Sequence, residues 1–516
     1  MSLTENRFLK SSVSVAAALW LIVLAAYWPV LGGSFNSLDD HYSIVNNPDI
    51  RSFHNLGRIF MSSFFGDTHF YRPAVSVSFA VEYHFFKLHP FFYHLDNVFL
   101  HALTAIAALV LVNLILNNQV MAFAAALLFA VHPIQAEAVV NIAGRSIVLS
   151  TLFSFLSFVF FLLLRPRKCK IIFYLCSLLF FLLAVLSKES AALLPVALLV
   201  YVVLVEKKNR KEDAVSFASV IPYFMVLGIF IFWRKTLGIT DVFHWGMFQE
   251  SFLGFSSFLR GAITYARLTI FPTGLYFDRA QEIFVNVNTE LVLTWLFWFG
   301  VVGFILKNYQ RLPKEILFCL VWAALELFPV AQIVTTIGAA PGYISLAEHF
   351  MYTSSLGLFV VVVFLVQKIF ESRVGCITSA AFLKIIVAAV LVFYFLLTIE
   401  QAMYGRQPVA LFKRSIQYNP ENSRVAFSLG WEYANVGNYA EAEKYFGWAL
   451  KLDAQAKYAM GLAQSLCDQG KFSECVALYD RINDAGPWND LLKRNKENAL
   501  KTINDRYGQR PSESSQ

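Results

Sequence analysis

Seven short clusters of charged and polar residues interrupt the long apolar runs of this 516-residue chain. Adjacent carboxylates can act as a general base or hold a cation, and Arg makes bidentate contacts with phosphate oxygens. The clusters are Asp39-Asp40-His41, Tyr71-Arg72, His94 with Asn97 and His101, His132 to Glu137 with Arg145, Lys188-Glu189, Asp278-Arg279 and Glu348-His349. His132 and Glu137 alone are too few ligands to predict a metal site.

Each cluster also has a structural interpretation that the sequence leaves open. Adjacent acids such as Asp39 and Asp40 are common in solvated turns, and Arg72 can anchor the chain at a membrane interface. His101 and its polar neighbours can form hydrogen bonds between helices. The Lys188-Glu189 pair can be an ion pair at a tight turn.

The elements that must position these residues are membrane helices. The chain is 57% hydrophobic and 15% charged, with a mean hydropathy of +0.56, a composition that excludes a soluble globular protein and a disordered one. A membrane helix needs about 20 mostly apolar residues. Eleven segments are predicted to span: 12–31, 93–116, 120–138, 146–164, 171–186, 189–205, 214–233, 289–306, 314–332, 351–369 and 382–400.

Four basic loops set the predicted orientation. With the N-terminus in the cytoplasm, the loops 165–170, 206–211, 307–314 and 368–373 all fall on the cytoplasmic side, as the positive-inside bias requires. We therefore interpret the net charge of +7 as an orientation signal and not as a nucleic-acid surface. Residues 251–271 contain Arg260 and Arg267, and we expect an interfacial amphipathic helix there, since a further span would reverse the later loops.

In this topology the polar clusters gather on the non-cytoplasmic side, with the first loop there formed by residues 32–92. Acids and bases together predict a polar cavity that opens on that face. Such a cavity suits an anionic lipid-linked substrate, because the phosphate would lie among cations while the lipid tail stays in the bilayer.

The tail after residue 403 has a different composition. Charged residues and Asn become frequent, and Leu429, Gly430, Tyr433, Ala442 and Phe446 occupy the positions of a tetratricopeptide repeat, with a second copy about 33 residues later. We predict a short α-solenoid over 404–505 and a disordered end over 506–516. The solenoid would be a docking surface for protein or peptide, or a helical cap without a partner. The six Cys show no CxxC pair and indicate neither a zinc site nor a disulfide scaffold.

An ordered set of motifs resembles the transmembrane and tetratricopeptide-repeat containing O-mannosyltransferases and their bacterial relatives. These are GT-C glycosyltransferases related to protein O-mannosyltransferases. The resemblance covers about residues 12–480. It is carried by Leu38-Asp-Asp40, Phe70-Tyr-Arg-Pro73, Phe92 to His101, Val131-His-Pro-Ile-Gln-Ala-Glu-Ala-Val139 with Gly144-Arg145, Ser187-Lys-Glu189 and Ala347-Glu-His349.

The resemblance implies an all-α polytopic membrane protein with a GT-C-like bundle over 1–403. It implies inverting transfer of a sugar, mannose in the family, from a polyprenyl-phosphate donor to an acceptor hydroxyl, with a protein or peptide acceptor docked on the repeats. Asp39 would be the base and Asp40 its neighbour or alternate. Arg72 and Lys188 would bind the phosphate. The other substrate-binding candidates are His101, His132, Glu137, Arg145, Glu189 and Glu348, and no metal or other cofactor is expected.

Two other functions remain open at this stage. The chain could transport or flip a lipid-linked sugar, or it could be a membrane scaffold whose repeats recruit partners. The membrane is expected to be a bacterial inner membrane with the site facing the periplasm, and the alternative is the endoplasmic reticulum membrane with the site facing the lumen.

Overall fold

The structure, a computed structural model, describes residues 3–64, 70–164, 170–206, 217–239, 248–331, 342–372, 377–482, 486 and 489–507. Parts of the predicted basic loops lie outside these ranges, namely residues 165–169, 207–211 and 373. The end of the chain from residue 508 lies outside them as well. Within them the chain is all-α apart from one small antiparallel sheet, as predicted.

Fifteen α-helices precede the tail in the described part of the chain, besides short 3-10 and π turns. They are α1 (Leu3–Tyr27), α2 (Leu56–Ile59), α3 (Pro73–Phe86), α4 (Pro90–Leu116), α5 (Gln119–Val131), α6 (Ala136–Val140), α7 (Arg145–Leu162), α8 (Lys170–Ser187), α9 (Leu194–Leu204), α10 (Ile221–Thr236), α11 (Phe248–Ile270), α12 (Thr289–Asn308), α13 (Lys314–Glu326), α14 (Met351–Ser372) and α15 (Ile377–Arg406). The sheet pairs β1 (Ala280–Glu282) with β2 (Tyr343–Ser345).

Eight of the helical segments described are long and apolar enough to cross a bilayer: those that contain α1, α4, α7, α8, α10, α12, α14 and α15. A ninth span exists if α5 and α6 count together, since they meet at a 53° bend where Pro133 cannot continue the helical hydrogen bonding. All eleven expected segments contain helix. However, α9 and α13 are shorter than the bilayer requires, so in the described ranges eight or nine of the eleven segments are long enough to span as one helix or as one bent pair.

Helix α11 covers the ambiguous segment 251–271 and is not among these eight. It is amphipathic, because it buries Tyr265 and Leu268 and exposes Arg267 and Ile270. This agrees with the expectation that the segment does not span.

The bundle core lies where α4, α5, α7 and α14 meet. Small buried residues such as Ala105 and Ala122 let α4 and α5 approach closely, which is how helices associate in lipid. Aromatic rings fill the remaining space, with the Phe129 and Tyr352 centroids 5.2 Å apart. The core therefore gives a rigid frame to the segments that leave it on the site side.

Residues 33–72, which we call loop 1, connect α1 to α3. The described part of the loop, 33–64 and 70–72, packs on α3 and α4. Ile44, Ile50 and Ile59 are buried there against Phe79 and Tyr93. Because these apolar side chains fix the loop from within, its polar residues are held in defined positions.

The tail forms six helices in the described ranges: α16 (Pro408–Tyr418), α17 (Ser423–Asn435), α18 (Tyr439–Leu452), α19 (Ala456–Asp468), α20 (Phe472–Asp480) and α21 (Asn489–Tyr507). Gly437 and Gly470 end α17 and α19 at φ values of 77° and 81°, where a side chain would be strained. A Cβ on Gly430 would lie 2.6 Å from the Phe446 ring. The glycines thus permit helix pairs 33 residues apart, while the tetratricopeptide assignment itself stays a prediction.

The tail contains one disulfide that the cysteine spacing does not predict. Cys467 and Cys475 form a disulfide between the end of α19 and α20, with their Cα atoms 5.4 Å apart. Their spacing of eight residues matches no short cysteine motif, so only the turn between the two helices brings them together.

Candidate active site at loop 1

Both oxygens of the Asp40 carboxyl accept hydrogen bonds that hold loop 1 in place. Its Oδ2 accepts a hydrogen bond from the Asn36 backbone N–H at 3.0 Å and its Oδ1 accepts one from the Ala143 N–H at 3.0 Å. Asn36 in turn donates to the Asn141 side chain at 2.9 Å. Burial raises the pKa of the Asp40 carboxyl to about 7. Asp40 therefore joins loop 1 to the turn that precedes α7, and its carboxyl is buried with a backbone partner on each oxygen.

Asp39, the adjacent carboxylate, differs because no hydrogen bond among the described residues ends on its side-chain oxygens. It is half-buried, and the charged groups that act on it are Arg424, Asp278, His349 and Arg72. Burial raises its pKa above the ordinary value, and Arg424 is the strongest of the cations that oppose this rise. A raised pKa and unused oxygens suit a general base.

Arg72 lies at the start of α3 and forms a bidentate pair with Glu189. Its Nη2 is 2.7 Å from Oε1 and its Nε is 3.2 Å from Oε2. The guanidinium also lies 4.5 Å from the Phe70 ring centroid and donates to Ser146 at 3.4 Å. The pair therefore joins the end of loop 1 to the turn between α8 and α9, and it fixes the plane of the guanidinium.

Lys188 lies beside this pair, and no ion pair or side-chain hydrogen bond of its ammonium is formed with the described residues. Burial, followed by the charge of Arg72, lowers its pKa to about 8. Its Nζ lies 5.9 Å from the Phe350 ring centroid. Lys188 is thus a half-buried cation with its donors available, which is what binding of a phosphate requires.

Glu137 brings a third part of the chain into the site. Its two oxygens accept hydrogen bonds from the His349 ring Nδ1 and the His349 backbone N–H, both at 3.0 Å. Its Oε1 also receives a long contact from the Asp278 N–H at 3.5 Å. Asp278 has a φ of 54°, a conformation that is uncommon for a residue other than Gly and that clusters at functional sites.

Glu348 serves the neighbouring hairpin. Its Oε1 accepts from Arg279 Nη2 at 3.0 Å and from the Tyr276 N–H at 3.1 Å, and both charged side chains are buried. This pair stabilises the base of the β1–β2 sheet and so holds Asp278 beside Asp39.

The structure places three of the predicted substrate contacts in the bundle interior. The His101 ring contacts the Tyr352 hydroxyl at 2.7 Å, and the His132 ring contacts the Thr269 carbonyl at 3.1 Å. Arg145 is fully buried. It forms close contacts with Glu82, Asp96, Asn97 and the Tyr93 carbonyl. Substrate binding by these three stays a prediction, and the partners that they have here are internal.

Sequence reasoning missed the residues that the tail contributes. The Ser37 N–H donates to Glu432 Oε1 at 2.6 Å, so α17 packs directly on loop 1. The Asn422 side chain donates to Asp278 Oδ2 at 3.1 Å, and Arg424 Nε lies 3.7 Å from the same oxygen. We call the resulting set the Asp39 cluster: Asp39, Arg72, Glu137, Lys188, Glu189, Asp278, His349 and Arg424.

No group of three or more metal-ligating side chains is found in the ranges that the structure describes. One cavity of about 600 Å³ lies between α1, α3 and α4. Trp20, Phe92 and Phe99 line it together with Glu82 and Asp96, and none of its lining residues belongs to the Asp39 cluster.

No protein-family model matches the chain. It is 24% identical over 447 residues to the protein O-mannosyl-transferase F38B6.6 of Caenorhabditis elegans, a match that covers 83% of this chain and 61% of the relative. It is 25% identical over 473 residues to the protein O-mannosyl-transferase TMTC3 of Homo sapiens, which covers 82% and 50%. A stretch of 129 residues is 39% identical to the protein O-mannosyl-transferase TMTC1 of Mus musculus, covering 23% and 14%.

The predicted resemblance is therefore confirmed: the chain has relatives among the curated protein O-mannosyl-transferases of this type. It spans about half to three-fifths of the length of the first two. Both are animal proteins, so they give no support to the expected bacterial origin.

Solved structures give a looser likeness. The archaeal oligosaccharyltransferase AglB of Archaeoglobus fulgidus, in complex with an inhibitory peptide and a dolichol-phosphate, aligns with a TM-score of 0.49 at 13% identity, over 83% of this chain and 60% of that one. ArnT of Cupriavidus metallidurans, bound to undecaprenyl phosphate, aligns with a TM-score of 0.40 at 12% identity, over 92% and 80%. Both scores are below 0.5.

Proposed function

We propose that the chain is a membrane glycosyltransferase that moves a sugar from a polyprenyl-phosphate donor to the hydroxyl of a protein Ser or Thr. The sugar that we propose is mannose. One observation carries the proposal. Asp39 has unused carboxylate oxygens and faces cations from other segments, in a chain that is similar over four-fifths of its length to curated protein O-mannosyl-transferases.

Residues of the Asp39 cluster can take up the proton and stabilise the leaving charge of the proposed step. The acceptor oxygen forms a bond to the anomeric carbon while its proton passes to Asp39, which must come within about 3 Å of that hydroxyl. The bond between the anomeric carbon and the phosphate oxygen breaks, and its electron pair leaves with the phosphate. Lys188 and the Arg72 guanidinium stabilise the leaving charge. Attack opposite the phosphate inverts the anomeric configuration.

The site is proposed to face an oxidising compartment, either the periplasm or the lumen of the endoplasmic reticulum. Disulfides such as Cys467–Cys475 persist in these compartments and are rare in the cytosol. The disulfide lies in the tail, and the tail contacts loop 1 through Glu432 and Ser37. Lys307 and Lys368 lie near the ends of α12 and α14, and the predicted eleven-span topology puts both on the opposite, cytoplasmic side.

The test is Asp39→Asn in the full chain, assayed in membranes with polyprenyl-phosphate mannose and a Ser/Thr-containing peptide, with the product identified by mass spectrometry. We expect a loss of transfer of about 100-fold or more, the usual contribution of a general base. Asp49→Asn is the matched control, because Asp49 is an acid of the same loop whose partner Arg58 is exposed. Unchanged transfer by Asp39→Asn would refute the mechanism, and movement of the lipid without a covalent product would favour a transporter.

A further inference from the structure

The first two helices of the tail, α16 and α17, are both fixed against the site. Besides the Ser37–Glu432 hydrogen bond, Tyr276 stacks on Tyr418 with the ring centroids 5.0 Å apart. The Arg414 side chain donates to the Leu275 carbonyl at 2.8 Å. The segment that carries Asp278 is therefore held by α16 and α17 and not by the bundle alone.

The cations near Asp39 differ in whether they form an ion pair with another carboxylate. Arg72 is paired with Glu189 at 2.7 Å, and His349 is paired with Glu137 at 3.0 Å. Each of these two positive groups thus has a carboxylate of its own. Arg424 has no such separate partner among the described residues, and the carboxylates that act on it are chiefly Asp278 and then Asp39.

Arg424 forms an ion pair with Asp278, and it is also the cation that acts most strongly on Asp39. Its Nε lies 3.7 Å from Asp278 Oδ2, which is an ion-pair distance and too long for a hydrogen bond. Its side chain is 39% exposed, and the hydrogen bonds of the described residues include none from its guanidinium. Two carboxylates, Asp39 and Asp278, therefore share one cation that is supplied from outside the membrane part.

We propose that Arg424 is a positioning residue of the Asp39 site, so that the tail completes the site and does not only recruit acceptors. The inference rests on the proposed function for its meaning, while its test below does not depend on transfer. Without Arg424, Asp39 and Asp278 would be neighbouring like charges with no shared counter-charge. Such a pair favours protonation of one member, and a protonated Asp39 cannot act as a base.

The charged and titratable groups that face Asp39 come from each element packed against it. They are Arg424 of α17, Asp278 before β1, His349 before α14, Arg72 before α3, and Asp40 and Tyr42 of loop 1. An opposite charge lowers the pKa of a carboxyl and its removal raises it. Because the base works only when deprotonated, Arg424→Gln should shift the acid limb of the rate profile to higher pH.

The first readout measures protonation of Asp39 without any transfer. Carbodiimides react with protonated carboxyls, so modification of Asp39 in the full-length protein is followed from pH 5 to 9 by peptide mass spectrometry. We expect the half-maximal modification of Arg424→Gln at higher pH than in the wild type, and Arg424→Lys close to the wild type because the charge is kept. Lys444→Gln, which removes an exposed charge of α18, is the matched control and should leave the profile unchanged.

The second readout is transfer itself. At saturating donor, Arg424→Gln should lose about tenfold in rate at pH 6 and about twofold at pH 8.5, since a nearby opposite charge is worth roughly one pH unit. A double variant, Arg424→Gln with Asp278→Asn, should recover part of the loss at pH 6 because one like charge is gone. This recovery would also show that the single variant is folded.

Two results would overturn the inference. One is an Asp39 modification profile that is the same in wild type and Arg424→Gln. The other is a loss of transfer of equal size at every pH, which a merely structural residue would give. A different outcome is that carbodiimide modifies Asp39 with the expected pH profiles in a protein that transfers no sugar. In that case the proposed function fails, while the role of Arg424 in keeping Asp39 charged stands.

Discussion

The Asp39 cluster and the surroundings of Arg145 are both dense in charge, and both lie where segments from several helices meet. Around Arg145 every charge has a partner: Nε donates to Asn97 at 2.8 Å, and the terminal nitrogens contact Glu82 and Asp96. Around Asp39 the carboxylate oxygens and the Lys188 ammonium have no such hydrogen bonds among the described residues. A concentration of charge thus identifies a candidate site only where donors and acceptors are left over.

The two clusters are nevertheless joined. Asn97, which accepts from Arg145, also donates to the Asn141 carbonyl at 3.0 Å, and the adjoining Ala143 N–H donates to Asp40. The saturated cluster therefore supports the turn on which loop 1 is anchored. The surroundings of Arg145 thus stabilise the fold, and the Asp39 cluster is positioned by that fold. Substitutions in the first should lower stability, and substitutions in the second should lower transfer.

Arg145→Ala should give the largest loss of stability. It would leave Glu82 and Asp96 without their cation, and removing one partner of a buried ion pair costs about 3–5 kcal/mol. Thermal unfolding in detergent measures the effect. Arg58→Ala is the control, since its ion pair with Asp49 is exposed and should change stability by about 0.5 kcal/mol or less. Equal midpoints for the two variants would contradict a structural role for Arg145.

Asp40→Ala should cost somewhat less, about 1–3 kcal/mol. It removes two hydrogen bonds that backbone N–H groups donate to a buried carboxyl, and an ordinary hydrogen bond is worth about 0.5–1.5 kcal/mol. Unfolding midpoints and limited proteolysis within residues 33–72 measure the change. If Asp40→Ala abolished transfer with a wild-type midpoint, Asp40 and not Asp39 would be the functional acid.

Lys188→Gln should leave stability nearly unchanged and weaken use of the donor. Loss of one charge-assisted contact to phosphate corresponds to about 1.4 kcal/mol, which is a tenfold fall in kcat/KM for polyprenyl-phosphate mannose. Kinetics at varied donor concentration measure the fall, and Lys235→Gln, at an exposed position on α10, serves as the comparison. An unchanged kcat/KM would remove Lys188 from the site.

The pH dependence of stability should show the smallest effect. Burial raises the pKa of the folded Asp40 to about 7, whereas an unfolded Asp titrates near 4. The contribution of this group is therefore fully present below about pH 4 and is lost as pH rises towards 7. Unfolding midpoints of wild type and Asp40→Ala, measured at pH 4.5 and 7.5, should differ more at the lower pH. A larger difference at pH 7.5 would contradict this sign.

Much of this arrangement could be predicted from the sequence. Apolar runs locate the helices, and the positions of Asp39, Arg72, Lys188 and Glu137 at the ends of such runs predict that they share one face. The sequence cannot tell which of two adjacent aspartates is the base, because that depends on the hydrogen bonds that Asp40 alone receives.

Other features have no local signal. Arg424 reaches the site only because α17 packs on loop 1, nearly four hundred residues away in the chain. Glu82, the partner of Arg145, lies within the apolar sequence of α3 and gives no hint of an ion pair. The segments that contain the short helices α9 and α13 are predicted to span, because an apolar composition does not show where a helix begins and ends.

The most direct measurement is the transfer rate and the unfolding midpoint of Asp39→Asn, determined on the same preparation beside wild type and Asp49→Asn. The account predicts a loss of transfer of about 100-fold or more with a midpoint equal to that of the wild type, because Asp39 holds no part of the fold through its side-chain oxygens. Wild-type transfer, or a loss that only follows a lowered midpoint, would contradict it.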